Sequence, residues 1–248
     1  MNVTYISALY NIYSGKEGEE VTVSERLLRD VGILLVQPIN LIMYVDQFYL
    51  DILSGLPRSD SITIIHLPIE NLHIYNMIVK NAESIKLPGN RNLEKDTHEY
   101  IALMNTKVEF MYRASHLTDS EYLAWIDAGC SKMFKEPNES FNRLIQCELK
   151  DISKVLIPGC YMRYLNYYEL QNNVWWIFIG TFFICNKNFI LEFYNLSLQS
   201  MARFLTRGYM VWEVNVWIDI MNHHPTTFEW YYSSHDDGFT KFPVQFLA

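Results

Sequence analysis

The sequence predicts an α/β fold, in which helices pack against a sheet, and three observations predict it. Residues 3–9 and 41–45 are short, apolar and rich in β-formers. Between them Leu27, Leu28, Val31, Leu34 and Leu35 recur at helical spacing, which gives a strand, helix, strand order. Half of the 248 residues are apolar and 19% are charged, enough to build a substantial core in one domain.

Each element follows in turn. Residues 3–9 read as a first buried strand, followed by a polar loop carrying Ser14-Gly15-Lys16-Glu17-Gly18. Residues 24–35 read as an amphipathic helix with Ser24 as its N-cap and Pro38 beyond its end. Residues 41–45 form a second strand, followed by Asp46, and 61–67 form a third, ended by Pro68. The stretch 71–95 gives no clear pattern apart from a loop at Pro88-Gly89-Asn90-Arg91-Asn92. Residues 96–116 suggest one helix, with Tyr100, Leu103, Met104, Lys107, Val108, Met111 and Ala114 on a broad face. A fourth strand, 121–127, ends in Asp127. A helix is expected at 142–155, and from Tyr161 a tyrosine-rich stretch stays unassigned. Residues 174–185 read as a strand or a strand pair broken at Gly180-Thr181, too short to cross a bilayer as a helix. Helices follow at 188–206, closed by Gly208, and at 211–221, stopped by Pro225. A last strand, 227–232, precedes His235-Asp236-Asp237-Gly238.

The net charge of −8 argues against a nucleic-acid partner, whose phosphates must be neutralised by cations. The four cysteines, at 130, 147, 160 and 185, form no CxxC pair, so they read as reduced core thiols of a cytoplasmic protein. The N-terminus has no basic and apolar segments of a signal peptide, and no transmembrane segment is expected. No Walker A, GxGxxG, GxSxG or HExxH motif occurs, which removes the common hydrolase, dinucleotide and zincin readings.

Asp127 is the sharpest chemical candidate. In an open α/β sheet, ligands gather outside the carboxyl ends of strands, and the small Ala128 and Gly129 leave room there. A carboxylate at such a point suits Mg²⁺ or Mn²⁺ bridging a diphosphate, or it caps the next turn. His235, Asp236 and Asp237 would complete a metal shell or form a solvated turn. Glu213, between Trp212 and Trp217, suits a general base if buried and solvent if not. Lys107, following Asn105-Thr106 on an apolar face, is a candidate contact for a diphosphate or ribose, whereas the adjacent His223 and His224 point different ways and read as structural.

Several segments together resemble the HtrL/WlaTC (YibB-like) family of glycosyltransferases. They are 3–8, 40–45, 95–100, 103–107, Glu121 through Trp125-Ile126-Asp127-Ala128-Gly129, Gly180-Thr181-Phe182-Phe183, 212–216 and His235-Asp236, in order along most of the chain. The resemblance implies a GT-A-like, Rossmann-type mixed sheet flanked by helices in one domain, 1–248. The nucleotide-sugar part would lie at about 1–130 and the acceptor and catalytic part at about 131–248. It also implies transfer of a sugar from a nucleoside-diphosphate sugar to a glycan or other hydroxyl acceptor, with Mn²⁺ or Mg²⁺. Under it Asp127 and His235 take the metal, and Glu213 and Asp127 are catalytic. The donor is held by Ser7, Ala8, Tyr10, Asn105, Lys107, Trp125, Asp127, Gly129 and Gly180. Many such enzymes carry Asp-x-Asp, but here Gly129 stands two residues after Asp127, so either the metal is weakly held or Lys107 and backbone N–H groups meet the charge on the leaving diphosphate instead. Exposed aromatic residues would give a homodimer its interface. Two other classes compete: a non-catalytic carbohydrate-binding or assembly protein on this fold, and a metal-dependent phosphohydrolase using Asp127, Asp236 and Asp237.

Overall fold

The computed structural model describes residues 2–12 and 25–248. The 14–18 loop and the expected Ser24 cap lie outside the described residues. Among the described residues, seven strands form one sheet: β1 (Val3–Leu9), β2 (Leu41–Val45), β3 (Ile62–His66), β4 (Tyr122–Ile126), β5 (Val155–Gly159), β6 (Phe182–Asn186) and β7 (Phe228–Tyr232). Their order is β3-β2-β1-β4-β6-β5-β7, and β6 alone runs against its neighbours. The sheet is mixed, Rossmann-type and continuous across residues 1–130 and 131–248. β2, β4 and β5 are buried at every position, as expected of strands covered on both faces.

Helices cover both faces. One face packs α1 (Glu25–Leu35), α2 (Gln47–Ser54) and α6 (Pro137–Gln146) through Val31, Leu34, Tyr49, Leu53 and Phe141. The other packs α3 (His73–Val79), α4 (His98–Asn105), α5 (Lys107–Ala114), α7 (Tyr167–Asn172), α8 (Ile190–Thr206) and α9 (Glu213–His223) through Ile74, Ile101, Phe110, Phe193 and Trp217. No helix among the described residues is long and apolar enough to cross a membrane.

Four elements differ from the sequence reading. The helix expected over 96–116 is two, because Thr106 has φ −78° and ψ −7° and turns its hydroxyl back to the Ala102 carbonyl, 2.8 Å away. The helix expected at 142–155 lies at Pro137–Gln146, started by Pro137 in its first turn, whose fixed φ suits that position. Val155 instead opens β5. Of 174–185, only Phe182–Asn186 with its Asn186 end joins the sheet, and Phe178 makes an isolated bridge to Gly159. Asp46 caps α2, a helix the sequence reading left out, by accepting from the Tyr49 N–H at 2.9 Å.

The chain proceeds from β1 outward through β2 and β3, then returns to the other side of β1 with β4. The crevice at the C-terminal ends of β1 and β4 is therefore a topological switch point, where ligands of such sheets bind. Because β6 is reversed, its N-terminal end, with Gly180 and Thr181, reaches this same edge: the Asp127 N–H donates to the Thr181 carbonyl at 3.0 Å.

Candidate functional site

Asp127 leaves β4 at the switch point with its side chain 33% exposed. Two groups orient it. The Trp125 indole Nε1–H donates to Asp127 Oδ1 at 2.8 Å, and Lys107 Nζ lies 3.1 Å from the same oxygen. Lys107 opens α5 and is only 2% exposed. Its ammonium also donates to the Gly180 carbonyl at 2.8 Å and to Glu213 Oε1 at 2.9 Å. Those three acceptors match the three protons of an ammonium. Burial alone would lower the Lys107 pKa, but Asp127 and Glu213 outweigh it and raise the value, so the charge persists.

Glu213 stands at the first turn of α9, where the helix dipole favours a carboxylate. It lies directly beneath Gly180: a Cβ at 180 would come within 2.6 Å of Glu213 Oε1. Any side chain at 180 would therefore force the Glu213 carboxylate to shift, and this glycine lets the Lys107 ammonium, the Glu213 carboxylate and the 180 carbonyl converge. One ammonium and two carboxylates leave this cluster with one excess negative charge, and the exposed member is Asp127.

Three of the expected donor contacts have partners within the protein. Lys107 spends its protons inside the protein. Trp125 is buried and stacks on Phe110 with ring centroids 6.1 Å apart, so its indole orients Asp127 instead of meeting a ligand. Asn105 is buried and donates to the Ile101 and Val211 carbonyls, at 2.8 and 2.9 Å, which ties α4 to the segment before α9. Glu213, expected as a base, is buried and engaged by Lys107.

The remaining expected residues divide between sheet and crevice. Ser7 is fully buried within β1, opposite Met43, and Ala8 is half-buried. Tyr10 follows β1, stacks on Phe110 at 5.6 Å and donates its hydroxyl to the Leu67 carbonyl at 2.8 Å, bracing the ends of β1 and β3. Burial above all, with the nearby Asp46, pushes its hydroxyl pKa up. Gly129 has φ −95°, and a Cβ there would make only ordinary contact with Leu27 Cδ1 at 3.5 Å. Asp46 was assigned no role from sequence. Besides capping α2, it accepts from the Asn11 N–H at 2.6 Å and so fixes the chain leaving β1. The signal was present: it is an acid immediately after an apolar strand, as Asp127 is.

The His235 region is built differently. His235 packs edge-on against Trp176 at 5.1 Å, and burial lowers its pKa although Asp236 opposes the shift. Asp236 accepts from the Gly238 N–H at 2.8 Å, and Asp237 pairs with Arg143 at 2.8 Å. Both aspartates are thus engaged in holding the turn, which weighs against the phosphohydrolase arrangement. The ends of β4 and β7 are three strand spacings apart, about 14 Å. Among the described residues, no three His, Cys, Asp or Glu side chains form a group that could hold a metal ion. His223 is held through Nδ1, 2.8 Å from the Asp219 carbonyl.

No family model matches the sequence, and no curated protein matches it. Among solved structures, the chain is similar to mouse xyloside xylosyltransferase 1 in its apo form, at 10% identity over 93% of this chain and 85% of that one, with a TM-score of 0.48. It is also similar to 4-diphosphocytidyl-2C-methyl-D-erythritol synthase from Anaerococcus prevotii, at 10% identity over 98% of this chain and 90% of that one, with a TM-score of 0.40. Both scores fall below 0.5, so the fold assignment stands on the sheet order and its two helical layers alone.

Proposed function

We propose that the chain is a glycosyltransferase of the GT-A kind, which transfers a sugar from a nucleoside-diphosphate sugar to a glycan or other hydroxyl acceptor. One observation carries the reading: a single carboxylate, Asp127, is held in orientation at the switch point by a buried ammonium and an indole N–H. Preorganised polar groups of this kind act on charge that develops during reaction without having to reorient.

In this reading Asp127 faces the donor diphosphate. Trp125 and Lys107 both bind Oδ1, which fixes the plane of the carboxylate. Glu213 and the Gly180 carbonyl hold Lys107, so both are positioning groups. The hard oxygen donors of Asp127 and the excess negative charge of the cluster fit a divalent cation, Mn²⁺ or Mg²⁺. Such an ion would take only one protein carboxylate here, with diphosphate oxygens and water supplying most of its shell. It would neutralise the departing diphosphate. His235 would join the shell only if the turn after β7 reached across the sheet edge.

A non-catalytic carbohydrate-binding protein is the second reading, favoured by the single carboxylate with Gly129 where a second acid would stand. Thermal shift with UDP-, GDP-, ADP- and dTDP-sugars plus Mn²⁺ separates the two. We expect stabilisation by one donor class, about 2.7 kcal/mol at 100 times its Kd. It should be lost in Asp127→Asn, and sugar release or transfer should accompany it in the wild type. Stabilisation by none of the donors, or an unchanged response in Asp127→Asn, overturns the proposal.

A further inference from the structure

Large apolar residues exposed to solvent are concentrated between β5 and β6, at Tyr161, Met162, Tyr164, Tyr168 and Trp176, with Tyr232 beside them. Backbone register brings the positions of three of these close together. The Gly159–Phe178 bridge is antiparallel, and the Cys160 N–H donates to the Ile177 carbonyl at 2.9 Å. Carried one residue further, that register faces Tyr161 toward Trp176. The parallel β5–β7 ladder places Tyr232 level with Gly159, and the Ser233 N–H donates to the Gly159 carbonyl at 2.8 Å. Gly159 cannot carry a Cβ, which would lie 2.6 Å from the Ile177 carbonyl oxygen, so three chain segments close tightly beneath the rings. Tyr161, Trp176 and Tyr232 are 40%, 44% and 70% exposed. The edge contact with His235 holds the Trp176 ring.

We infer that Tyr161, Trp176 and Tyr232 form a stacking platform for the pyranose rings of a neutral glycan. That this glycan is the acceptor rests on the function proposed above. The chemistry favours this occupant. The three rings are flat and carry polar edges. One face of a pyranose presents C–H groups that pack on such rings, while its hydroxyls stay hydrated. The nearby charges at Arg163 and Glu169 pair with each other at 2.8 Å. An anionic membrane would instead call for unpaired cations beside the apolar groups. Position supports it too. β4, β5 and β7 all end at this sheet edge, and the loop 174–181 carries both Trp176 and Gly180, the residue that anchors Lys107.

The test uses immobilised neutral oligosaccharides of glucose, galactose, mannose and N-acetylglucosamine. Wild type, Trp176→Ala/Tyr232→Ala, Trp176→Phe/Tyr232→Phe and Asp127→Asn are compared. We expect the wild type to bind at least one series, the double alanine variant to bind it about tenfold more weakly, and the phenylalanine variant to retain most of the affinity. Asp127→Asn should bind the glycan like the wild type. Absence of wild-type binding to every series, or equal binding by the alanine variant, overturns the platform. So does a dimer in light scattering that Tyr232→Glu dissociates, without glycan binding. Absence of any donor response in the wild type, with glycan binding intact, overturns the donor-site reading and leaves the platform standing.

Discussion

Two acidic strand ends lie on the same edge of this sheet, and they have different work. At the end of β7, Asp236 closes a turn onto Gly238, and Asp237 is drawn into an ion pair with Arg143. At the end of β4, Asp127 receives an indole N–H and a buried ammonium on one oxygen and stays one-third exposed. Asp236 and Asp237 hold the backbone; Asp127 is itself held. An acid after an apolar strand is therefore not informative alone. What separates these two strand ends is whether other buried groups are arranged to orient the acid.

The most severe way to break this difference is Lys107→Met. It leaves Glu213 buried without its cation and should destabilise the fold by about 3–5 kcal/mol in urea melts. A loss below about 1 kcal/mol would mean that the cluster does not depend on the lysine. Gly180→Ala comes next: its methyl would press on Glu213, and about 1–3 kcal/mol should be lost, together with weaker donor stabilisation. Arg143→Met, at the other acid, should cost about 1 kcal/mol and leave the donor response untouched; a lost response would place the β7 turn inside the donor site.

The smallest effect is one of pH. The folded-state pKa of Lys107 is raised above its ordinary 10.5. Its contribution to stability is thus fully present below about 10.5 and lost as pH rises through the raised value. Glu213→Gln removes one of the two supporting carboxylates, so alkaline loss of melting temperature should begin at lower pH than in the wild type. Identical alkaline profiles would show that Asp127 alone sustains the charge.

Much of the sheet was legible because buried strands advertise themselves as short runs of β-formers: the bounds of β1 and β2 follow directly from 3–9 and 41–45. Asp127 was legible for the same reason, as the acid ending such a run. The roles of Lys107, Trp125, Asn105 and Glu213 were not, since the same residue types serve a ligand or a neighbouring side chain. Only the tertiary structure tells which partner arrives. The Thr106 break escaped notice because the apolar face continues across it. α7 announced itself only through Asn166 and Glu169, a capping box whose signal the surrounding tyrosines obscured.

The Lys107 cluster also bears on how the chain assembles. Its members stand at positions 107, 127, 180 and 213, so a ribosome completes the lysine long before it completes the glutamate. Until α9 docks, the cation has lost half of its anionic support, and closing so long a loop carries its own entropic cost. Lys107 and Asp127 therefore do not complete this cluster without Gly180 and Glu213. The cluster at the crevice is complete only once α9 has docked, so its assembly joins residues far apart along the chain.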